Sequence, residues 1–426
     1  MKNILVFPCG SEVALEIHRS LKYSRHFKLY GGSSVNDHGR FVFENYIDHI
    51  PFHNDRNFIE TVRKIVEIYN INAIYPAMDA VALTCKKSET QLGCRVIGSP
   101  LETTSICVSK SKTYAKLKDC LPVPKIYESL SVVDAYPVFL KPDKGYGSRN
   151  VYIAKSRLSA EAFLQDADPD VDFILCEFLP GAEYTIDCFT DRHRKLLFSG
   201  GRKRVRISNG ISVNTTIDHQ YSEYFKDVAN KINNALELRG AWFFQMKLDK
   251  HNNLKLLEVA ARLGGSSSLF RSQGVNFAML SAFDCFDVDV NIIQNNYEAE
   301  LDRALCNKYK INIDYSTVYL DYDDCIFVNG KINSEMVSFI FSAINHNKRI
   351  ILLTKHADNI ENTLREYRLW GIFDQIIHIE KDDNKAAFIE PEGAIFIDDS
   401  YAERCLVQNE HGIPVFSPDM IEGLIP

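Results

Sequence analysis

A short apolar strand that ends in two carboxylates constrains the fold of this chain more than any other feature. Residues 318–320 are strand formers, and Asp321 and Asp323 follow them directly. Open α/β sheets hold their ligands at the carboxyl ends of the strands. Side chains two residues apart in an extended segment share a face, so one Asp can attack phosphorus while the other moves the proton. The pattern predicts a phosphoryl-transfer site at the edge of an α/β sheet.

Further polar groups follow this motif at workable spacings. They are Thr354 after the strand R-I-I-L-L, Lys385 at the start of a helical stretch, and Asp398-Asp399 after the strand A-I-F-I. Any one of these residues is easily explained as a cap or a turn, but the ordered set is not. The set resembles the haloacid dehalogenase (HAD) superfamily of phosphotransferases over about the last quarter of the chain.

The HAD resemblance implies a role for each polar residue. It makes Asp321 the nucleophile and Asp323 the general acid and base, gives Thr354 and Lys385 contacts to phosphoryl oxygens, and assigns Mg²⁺ to Asp321 and Asp398 with help from Asp399. A dianionic phosphoryl group meets a carboxylate only if a cation and a lysine neutralise the charge. Cys325 stands where the family commonly has Thr, which is a mild departure.

The spacing within this motif limits what covers the site. About thirty residues separate Asp323 from Thr354, and about thirty separate Thr354 from Lys385. One helix, a loop and a strand fill each interval, which leaves no room for a large cap domain. We therefore expect a Rossmann-like HAD domain without a cap, whose substrate is large or whose site a neighbouring domain covers.

Length and composition narrow the class of protein. A chain of 426 residues should hold two or three domains. A net charge of −7 gives no sign of nucleic-acid binding, and eleven scattered cysteines without a Cys-x-x-Cys pair argue against a disulfide framework or a structural zinc site. The opening apolar run is too short for a signal peptide, and no stretch reaches the roughly 18 apolar residues of a spanning helix. We expect a cytoplasmic protein without a membrane partner.

The first hundred residues alternate between strand and helix patterns. Strands are expected near 3–9, 27–32 and 73–77, with helices near 12–21 and 57–70. This alternation predicts a small doubly wound sheet. Gly10 permits a phosphate-loop interpretation, but a plain strand-to-helix turn is favoured because Gly-x-Gly-x-x-Gly is missing.

From Pro137 the pattern changes to antiparallel hairpins. Pro122 and Pro124 mark a boundary, after a helix near 110–119. The segment 138–141 pairs plausibly with 151–154 across a glycine-rich loop. A polar turn at 249–253 joins two further strands into a hairpin.

The residues between 110 and 262 supply what a nucleoside triphosphate needs: backbone donors, cations, an apolar slot and acidic groups for magnesium. Glycines after Lys141 let backbone N–H groups approach phosphates, although a hairpin turn explains them equally well. An extended segment at 177–179 can offer adenine a backbone donor and acceptor, and Glu183 could accept from ribose hydroxyls. Gln245 and Glu258 lie on the two strands of one hairpin and can face each other around a metal.

Together with E-x-L-P-G-x-E-Y-T-x-D-like and L-L-E-V-A-A-R segments, these residues resemble the ATP-grasp superfamily, in particular its carbamoyl-phosphate-synthetase-like carboxylate–amine ligases. The resemblance runs to about residue 310. It implies phosphate contacts for Lys110 and Lys141, a phosphate lid at Gly145, Gly147 and Ser148, an adenine slot at Glu177, Phe178 and Leu179, a ribose contact at Glu183, Mg²⁺ ligands at Gln245 and Glu258, and stabilisation of the transferring group by Arg262.

This sequence departs from the ATP-grasp pattern at two places. Ala260 stands where the family usually has a metal-binding Asn, so the second magnesium has fewer protein ligands or the ligase half is weakened. Ser109 stands where the family often has Asp, which is a minor change.

A basic run offers a clamp for an anionic substrate. Arg204 and Arg206 should point to one face of a strand. A solvated hairpin explains them about as well, but arginines at this place in related enzymes favour the clamp.

The sequence thus predicts α/β and α+β architecture in three parts: a doubly wound pre-ATP-grasp domain (1–105), an ATP-grasp domain with antiparallel sheets (106–310, lid about 122–190) and the HAD domain (315–426). We expect a bifunctional enzyme that uses ATP and Mg²⁺ to join a small-molecule carboxylate to an amine and that hydrolyses a phosphate ester, trimming a phosphorylated substrate or product. An ATP-grasp kinase and a nucleotide-binding module with an inactive ligase half are the alternatives. Dimers are common in such folds, so a homodimer is the assembly to test.

Overall fold

The chain divides into two compact units, Met1–Ala304 and Leu305–Pro426. The computed structural model describes residues 1–145 and 149–425. The division lies inside the polar stretch 295–314, although Glu300–Asp302 within that stretch is a strand of the first unit. Across these two ranges, no helix combines the length and the apolar character that crossing a membrane requires.

The first unit begins with a parallel sheet of order β3-β2-β1-β4-β5. Its strands are β1 Lys2–Phe7, β2 Phe27–Gly32, β3 Asn45–Ile47, β4 Ala73–Pro76 and β5 Arg95–Val96. Its helices are α1 Glu12–Leu21, α2 Phe58–Ile68, α3 Asp79–Lys87, α4 Glu89–Leu92 and α5 Leu101–Cys107. Ile4, Leu5 and Val6 are fully buried, because helices cover both faces of a parallel sheet. The doubly wound expectation for this segment is confirmed.

A smaller antiparallel sheet follows, with the order β6-β9-β7-β8. Its elements are α6 Lys110–Leu117, β6 Ile126–Tyr127, β7 Val138–Pro142, β8 Tyr152–Ala154, α7 Arg157–Asp166 and β9 Phe173–Glu177. Val138 pairs with Ala154 and Leu140 with Tyr152, so the hairpin predicted across the glycine-rich loop is confirmed. This sheet carries Lys141 and Glu177 of the predicted nucleotide site.

The second antiparallel sheet has the order β14-β13-β10-β11-β12-β15. Its strands are β10 Glu183–Thr190, β11 Leu196–Ser208, β12 Ile211–Ile217, β13 Gly240–Leu248, β14 Leu254–Ala260 and β15 Glu300–Asp302, with α8 Ser222–Ala235, α9 Ser268–Ser272 and α10 Phe277–Cys285 alongside. Alternate residues of β10, such as Tyr184 and Ile186, pack in one core with Phe225 of α8. The alternation turns Glu183 and its i+2 neighbours to the opposite, polar face.

The second unit contains a parallel sheet of order β20-β19-β16-β21-β22 and a small hairpin, β17-β18. The elements are β16 Thr317–Leu320, β17 Phe327–Val328, β18 Lys331–Ile332, α11 Ser334–Asn345, β19 Arg349–Thr354, α12 Ile360–Glu366, β20 Gln375–His378, β21 Ala394–Ile397, α13 Tyr401–His411 and β22 Val415–Phe416. The motif strand β16 lies in the middle, paired with β19 and β21. The segment between β16 and β19 holds the hairpin and α11.

Candidate functional sites

A cavity of the first unit brings together ten of the residues predicted to bind nucleotide, metal or substrate. It encloses about 940 Å³, counting its open mouth. The ten are Lys110, Lys141, Gly145, Glu177, Phe178, Leu179, Glu183, Arg204, Gln245 and Glu258. Arg206 and Arg262 are not among its lining residues. Gly147 and Ser148 of the predicted lid lie outside the described residues.

Two lysines enter this cavity from different elements. Lys141 is buried at the end of β7, and its Nζ donates to the Tyr114 hydroxyl at 2.7 Å. Lys110 starts α6, and its Nζ lies 3.1 to 3.3 Å from the backbone oxygens of Pro142, Asp143 and Gly145. Burial lowers the pKa of both lysines. Their hydrogen bonds go to neutral oxygens, with which an incoming anion would compete.

Asp143 ties the base of the predicted lid to the start of α6. Its carboxylate accepts from Ser109 Oγ and from the backbone N–H of Ser111, each at 2.7 Å. Ser109 also accepts from the N–H of Lys112 and so caps the helix. Ser109 therefore caps the helix and places Lys110 beside residues 142–145.

Two cations flank the residue predicted to hold ribose. Glu183 forms an ion pair with Arg204 and lies 3.3 Å from Lys247 Nζ. The Arg204 guanidinium also donates to the backbone oxygen of Gly210 at 2.7 Å. The carboxylate is held in place with its oxygens beside the cavity, which suits an acceptor of hydroxyl hydrogen bonds.

The two predicted magnesium ligands are direct neighbours across a hairpin. Gln245 of β13 pairs with Glu258 of β14, as the hairpin pattern predicted, and both line the cavity. Their oxygens are of the kind that Mg²⁺ prefers. Ala260 lies opposite Phe243 and is buried, so it brings no ligand to this pair.

Arg262 is held by a residue that the sequence patterns did not reveal. Its Nε and Nη2 both lie 2.8 Å from Asp79 Oδ2 at the start of α3, and its guanidinium lies over the Phe243 ring. Burial opposes the charge, but Asp79 outweighs it and the pKa of Arg262 is raised. The pair joins the first sheet's helix layer to the edge of the second antiparallel sheet.

The prediction that Arg204 and Arg206 point to one face of a strand is wrong. The pairing of β11 with β12 shifts between them, so Arg204 lies opposite Thr215 and Arg206 opposite the adjacent Asn214. Adjacent residues of a strand point to opposite faces, and a β-bulge of this kind breaks the simple alternation. Arg204 faces Glu183, whereas the exposed Arg206 pairs with Asp302 at 2.6 Å.

The second unit gathers its polar motif at the carboxyl edge of the parallel sheet. Asp321, Thr354 and Asp398 end or directly follow three neighbouring strands. Lys385 opens a 3₁₀ helix, Lys385–Phe388, and its Nζ lies 3.0 Å from Asp321 Oδ2 and 2.6 Å from Asp398 Oδ2. All four side chains are buried.

The electrostatics of this cluster follow from burial and from its two acids. Burial raises the pKa of Asp321, and burial together with the charge of Asp321 raises the pKa of Asp398 to about 6. Burial alone would lower the pKa of Lys385, but the two carboxylates outweigh it and the pKa is raised. The two acids therefore share one lysine and would gain from a second cation.

The oxygens at this edge fit a magnesium ion. Asp321 Oδ1 is buried and has no hydrogen-bond partner among residues 1–145 and 149–425. Ligand atoms of Asp321, Cys325 and Asp399 lie within 4.8 Å of one another. Asp398, predicted as a ligand, instead accepts from Lys385 and from the N–H of Ser400. Asp399 is thus better placed than Asp398 to share a cation with Asp321.

Asp323 has a partner that the motif did not predict. Its side chain is 49% exposed, and His356 Nδ1 lies 2.9 and 3.0 Å from its two oxygens. His356 comes two residues after Thr354, a short spacing that could have drawn attention to it.

A comparison with models of protein families gives a match within the first unit. Residues 170–302 match a family model described as ATP-grasp in the biosynthetic pathway with Ter operon. A comparison with curated protein sequences gives no match.

Several solved structures resemble the chain in fold. The biotin carboxylase domain of 2-oxoglutarate carboxylase from Hydrogenobacter thermophilus, with MgADP and bicarbonate, has a TM-score of 0.60 at 15% identity over 70% of this chain and 73% of its own. N5-carboxyaminoimidazole synthetase from Staphylococcus aureus with ADP has a TM-score of 0.59 at 14% identity, over 71% of this chain and 82% of its own. An L-amino acid ligase from Bacillus licheniformis has a TM-score of 0.53 at 20% identity, over 67% of this chain and 74% of its own. The chain therefore carries the ATP-grasp fold, and residues 170–302 match an ATP-grasp family.

Proposed function

We propose that the first unit is an ATP-dependent carboxylate–amine ligase that works through an acyl phosphate. The observation that carries this proposal is one cavity lined by the buried Lys141, the half-buried Lys110, a glutamate for ribose and the Gln245–Glu258 pair. The ADP in the Hydrogenobacter and Staphylococcus structures, and the magnesium in the former, support ATP and Mg²⁺ as its cofactors.

Each group of the cavity has a task that suits its chemistry. Lys110 and Lys141 neutralise phosphate charge, and Gln245 and Glu258 are the residues that would hold a magnesium ion, which would supply further positive charge for the phosphates. Phe178 and Leu179 give adenine an apolar contact beside the carboxylate of Glu177, whose Oε1 accepts from the N–H of Lys125 at 2.9 Å. Arg262, fixed by Asp79, is assigned to the charge of the acyl phosphate. Catalysis rests on positioning and on charge neutralisation.

The reaction divides into two balanced steps. The substrate carboxylate attacks the γ-phosphorus of ATP, so a carboxyl-oxygen–phosphorus bond forms and ADP leaves. The amine then attacks the acyl carbon, phosphate leaves, and the amine nitrogen loses a proton. Arg204 remains the proposed substrate clamp through its position beside the cavity, whereas Arg206 is proposed to act only from the rim because it is exposed and paired with Asp302.

Steady ADP release tests the ligase proposal. Purified full-length chain with ATP and Mg²⁺ is screened against pairs from panels of carboxylates and amines, and release should require both partners. Release with one acceptor alone would favour an ATP-grasp kinase. ATP binding without turnover across the panel would favour a nucleotide-binding module, which Ala260 keeps as a rival.

We propose a phosphomonoesterase of HAD type as the activity of the second unit. The observation that favours it is Lys385 between Asp321 and Asp398, with an Asp321 oxygen beside Asp399 that accepts no hydrogen bond from the described residues. Asp321 attacks phosphorus while the ester oxygen takes a proton from Asp323 and leaves. Water then attacks the aspartyl phosphate, gives its proton to Asp323, and phosphate departs.

Magnesium supplies charge neutralisation in this scheme, with Asp321 and Asp399 as the residues that would hold it. Thr354 and Lys385 are assigned to the phosphoryl oxygens.

Magnesium-dependent phosphate release from p-nitrophenyl phosphate tests the proposal, and its absence at every magnesium concentration would contradict it. A phosphorylated amide made by the first unit would be the natural ester, and a chain that never released phosphate from its own amide product would disprove this coupling.

A further inference from the structure

His356 touches the second unit's proposed acid–base residue through a ring that is fixed at both nitrogens. Nδ1 lies 2.9 and 3.0 Å from the Asp323 oxygens, and Nε2 lies 3.0 Å from Thr363 Oγ1 of α12. The ring also meets Tyr322 edge-on, with centroids 5.1 Å apart at 74°. A carboxylate can only accept, so Nδ1 carries the hydrogen of the bond to ionised Asp323.

The backbone of His356 is equally well held. Its N–H lies 3.2 Å from Thr354 Oγ1, and its carbonyl oxygen lies 2.7 Å from His378 Nε2. The His356 side chain is 13% exposed, whereas that of Asp323 is 49% exposed. A fixed, largely buried donor therefore restrains a carboxylate that water would otherwise let rotate.

We propose that His356 is a positioning residue that holds Asp323 where it can exchange a proton with the ester oxygen and with the attacking water. The inference rests on the proposed phosphatase function and adds a consequence for substrate class. An alkyl phosphate leaves as a strongly basic alkoxide and needs the proton from Asp323. A nitrophenolate leaves without one. The site is thereby suited to alkyl phosphate monoesters.

The two chemical steps make different demands on the pair. Formation of the aspartyl phosphate needs the Asp323 proton only when the leaving oxygen is basic. Hydrolysis of the aspartyl phosphate always needs Asp323 to take a proton from water. Loss of His356 should therefore slow the second step for every substrate and the first step for alkyl esters alone.

The experiment compares kcat/KM and kcat for glycerol 2-phosphate and p-nitrophenyl phosphate, with full-length chain and Mg²⁺. For His356→Ala we expect kcat/KM to fall roughly 10²-fold with glycerol 2-phosphate and to stay within about twofold with p-nitrophenyl phosphate. With the latter substrate kcat should fall, after a burst of one p-nitrophenol per active chain. Acid quenching should trap phosphate on the chain.

Three matched variants separate positioning from folding. His356→Asn keeps an N–H near the Nδ1 position and should recover most of the loss, and Thr363→Val should show the same pattern more weakly. His346→Ala, an exposed histidine at the end of α11, should match the wild type. Thermal melting checks that each variant is folded.

Equal losses of kcat/KM with both esters, or no loss with either, would overturn the positioning role of His356. An unfolded His356→Ala chain leaves the decision to His356→Asn and Thr363→Val, whose unchanged ester preference would overturn it as well. If the wild-type chain hydrolyses neither ester, the proposed phosphatase itself fails, and that result is visible before any variant is measured.

Discussion

Each unit of this protein buries a lysine at a proposed phosphate site, but the two lysines have opposite surroundings. Lys141 of the first unit bonds a neutral tyrosine hydroxyl, and burial lowers its pKa. Lys385 of the second unit lies between two carboxylates, which raise its pKa. The first site therefore presents unbalanced positive charge to a polyanion. The second has one lysine for two carboxylates and is therefore net negative, so it needs an added cation before a phosphoryl group can enter.

Removing the proposed nucleophile of the second unit should give the largest effect. It should abolish the activity of that unit and leave the first unit unchanged. For Asp321→Asn we expect phosphatase activity to fall by at least roughly 10³-fold, because an amide cannot form the aspartyl phosphate. ATP turnover should not change. Phosphate release and ADP release are measured on the same preparation.

Asp324→Asn is the matched control for that change. Asp324 is exposed and has a φ of 52°, a conformation that Asn tolerates well. Its phosphatase activity should equal that of the wild type. Unchanged activity in Asp321→Asn would show that the cluster does not work through this carboxylate.

Removing the first unit's lysine should have the next largest effect. We expect Lys141→Ala to weaken ADP binding roughly 10²-fold, since a buried cation no longer meets the phosphates. Titration calorimetry with Mg²⁺ measures the Kd. Lys144→Ala removes an exposed lysine of the same segment and should bind like the wild type. Equal losses in both variants would point to general charge rather than to the buried site.

Ligand-induced stabilisation should be confined to one unit. MgADP at ten times its Kd should raise the free energy of unfolding of the first unit by about 1.4 kcal/mol, because ligand binds only the folded state. Scanning calorimetry should show this shift in one transition. A matching shift in the transition of the second unit would contradict separate sites.

The smallest expected effect is a difference in alkaline pH dependence. Burial lowers the pKa of Lys110 and Lys141, so both lose their charge at a lower pH than an exposed lysine does. The Kd for ADP should therefore begin to rise below about pH 10.4, the pKa of an exposed lysine. Lys385, whose pKa is raised, keeps its proton below that pH. An ADP affinity independent of pH would contradict this assignment.

The sequence predicted best what depends on local register. The pairings of Gln245 with Glu258 and of Val138 with Ala154 follow from strand periodicity and short turns. The placement of Asp321 and Asp398 at one edge follows from the rule that neighbouring parallel strands present their carboxyl ends together.

The partners of these residues could not be predicted in the same way. Asp79 reaches Arg262 from 183 positions away, and no local pattern selects one acid over another at such a distance. The β-bulge beside Arg204 changes a strand's register by one residue without a sequence signal that periodicity detects. Tertiary packing, not local propensity, fixes both.

The ammonium group of Lys110 already donates hydrogen bonds to the backbone oxygens of Pro142, Asp143 and Gly145. An incoming triphosphate must compete with these three carbonyls for the same nitrogen atom. Nucleotide binding would then exchange the hydrogen bonds between Lys110 and residues 142–145 for contacts with phosphate. Nucleotide release would restore these hydrogen bonds. Anchoring of residues 142–145 would therefore alternate with nucleotide binding in each turnover, through the side chain of Lys110.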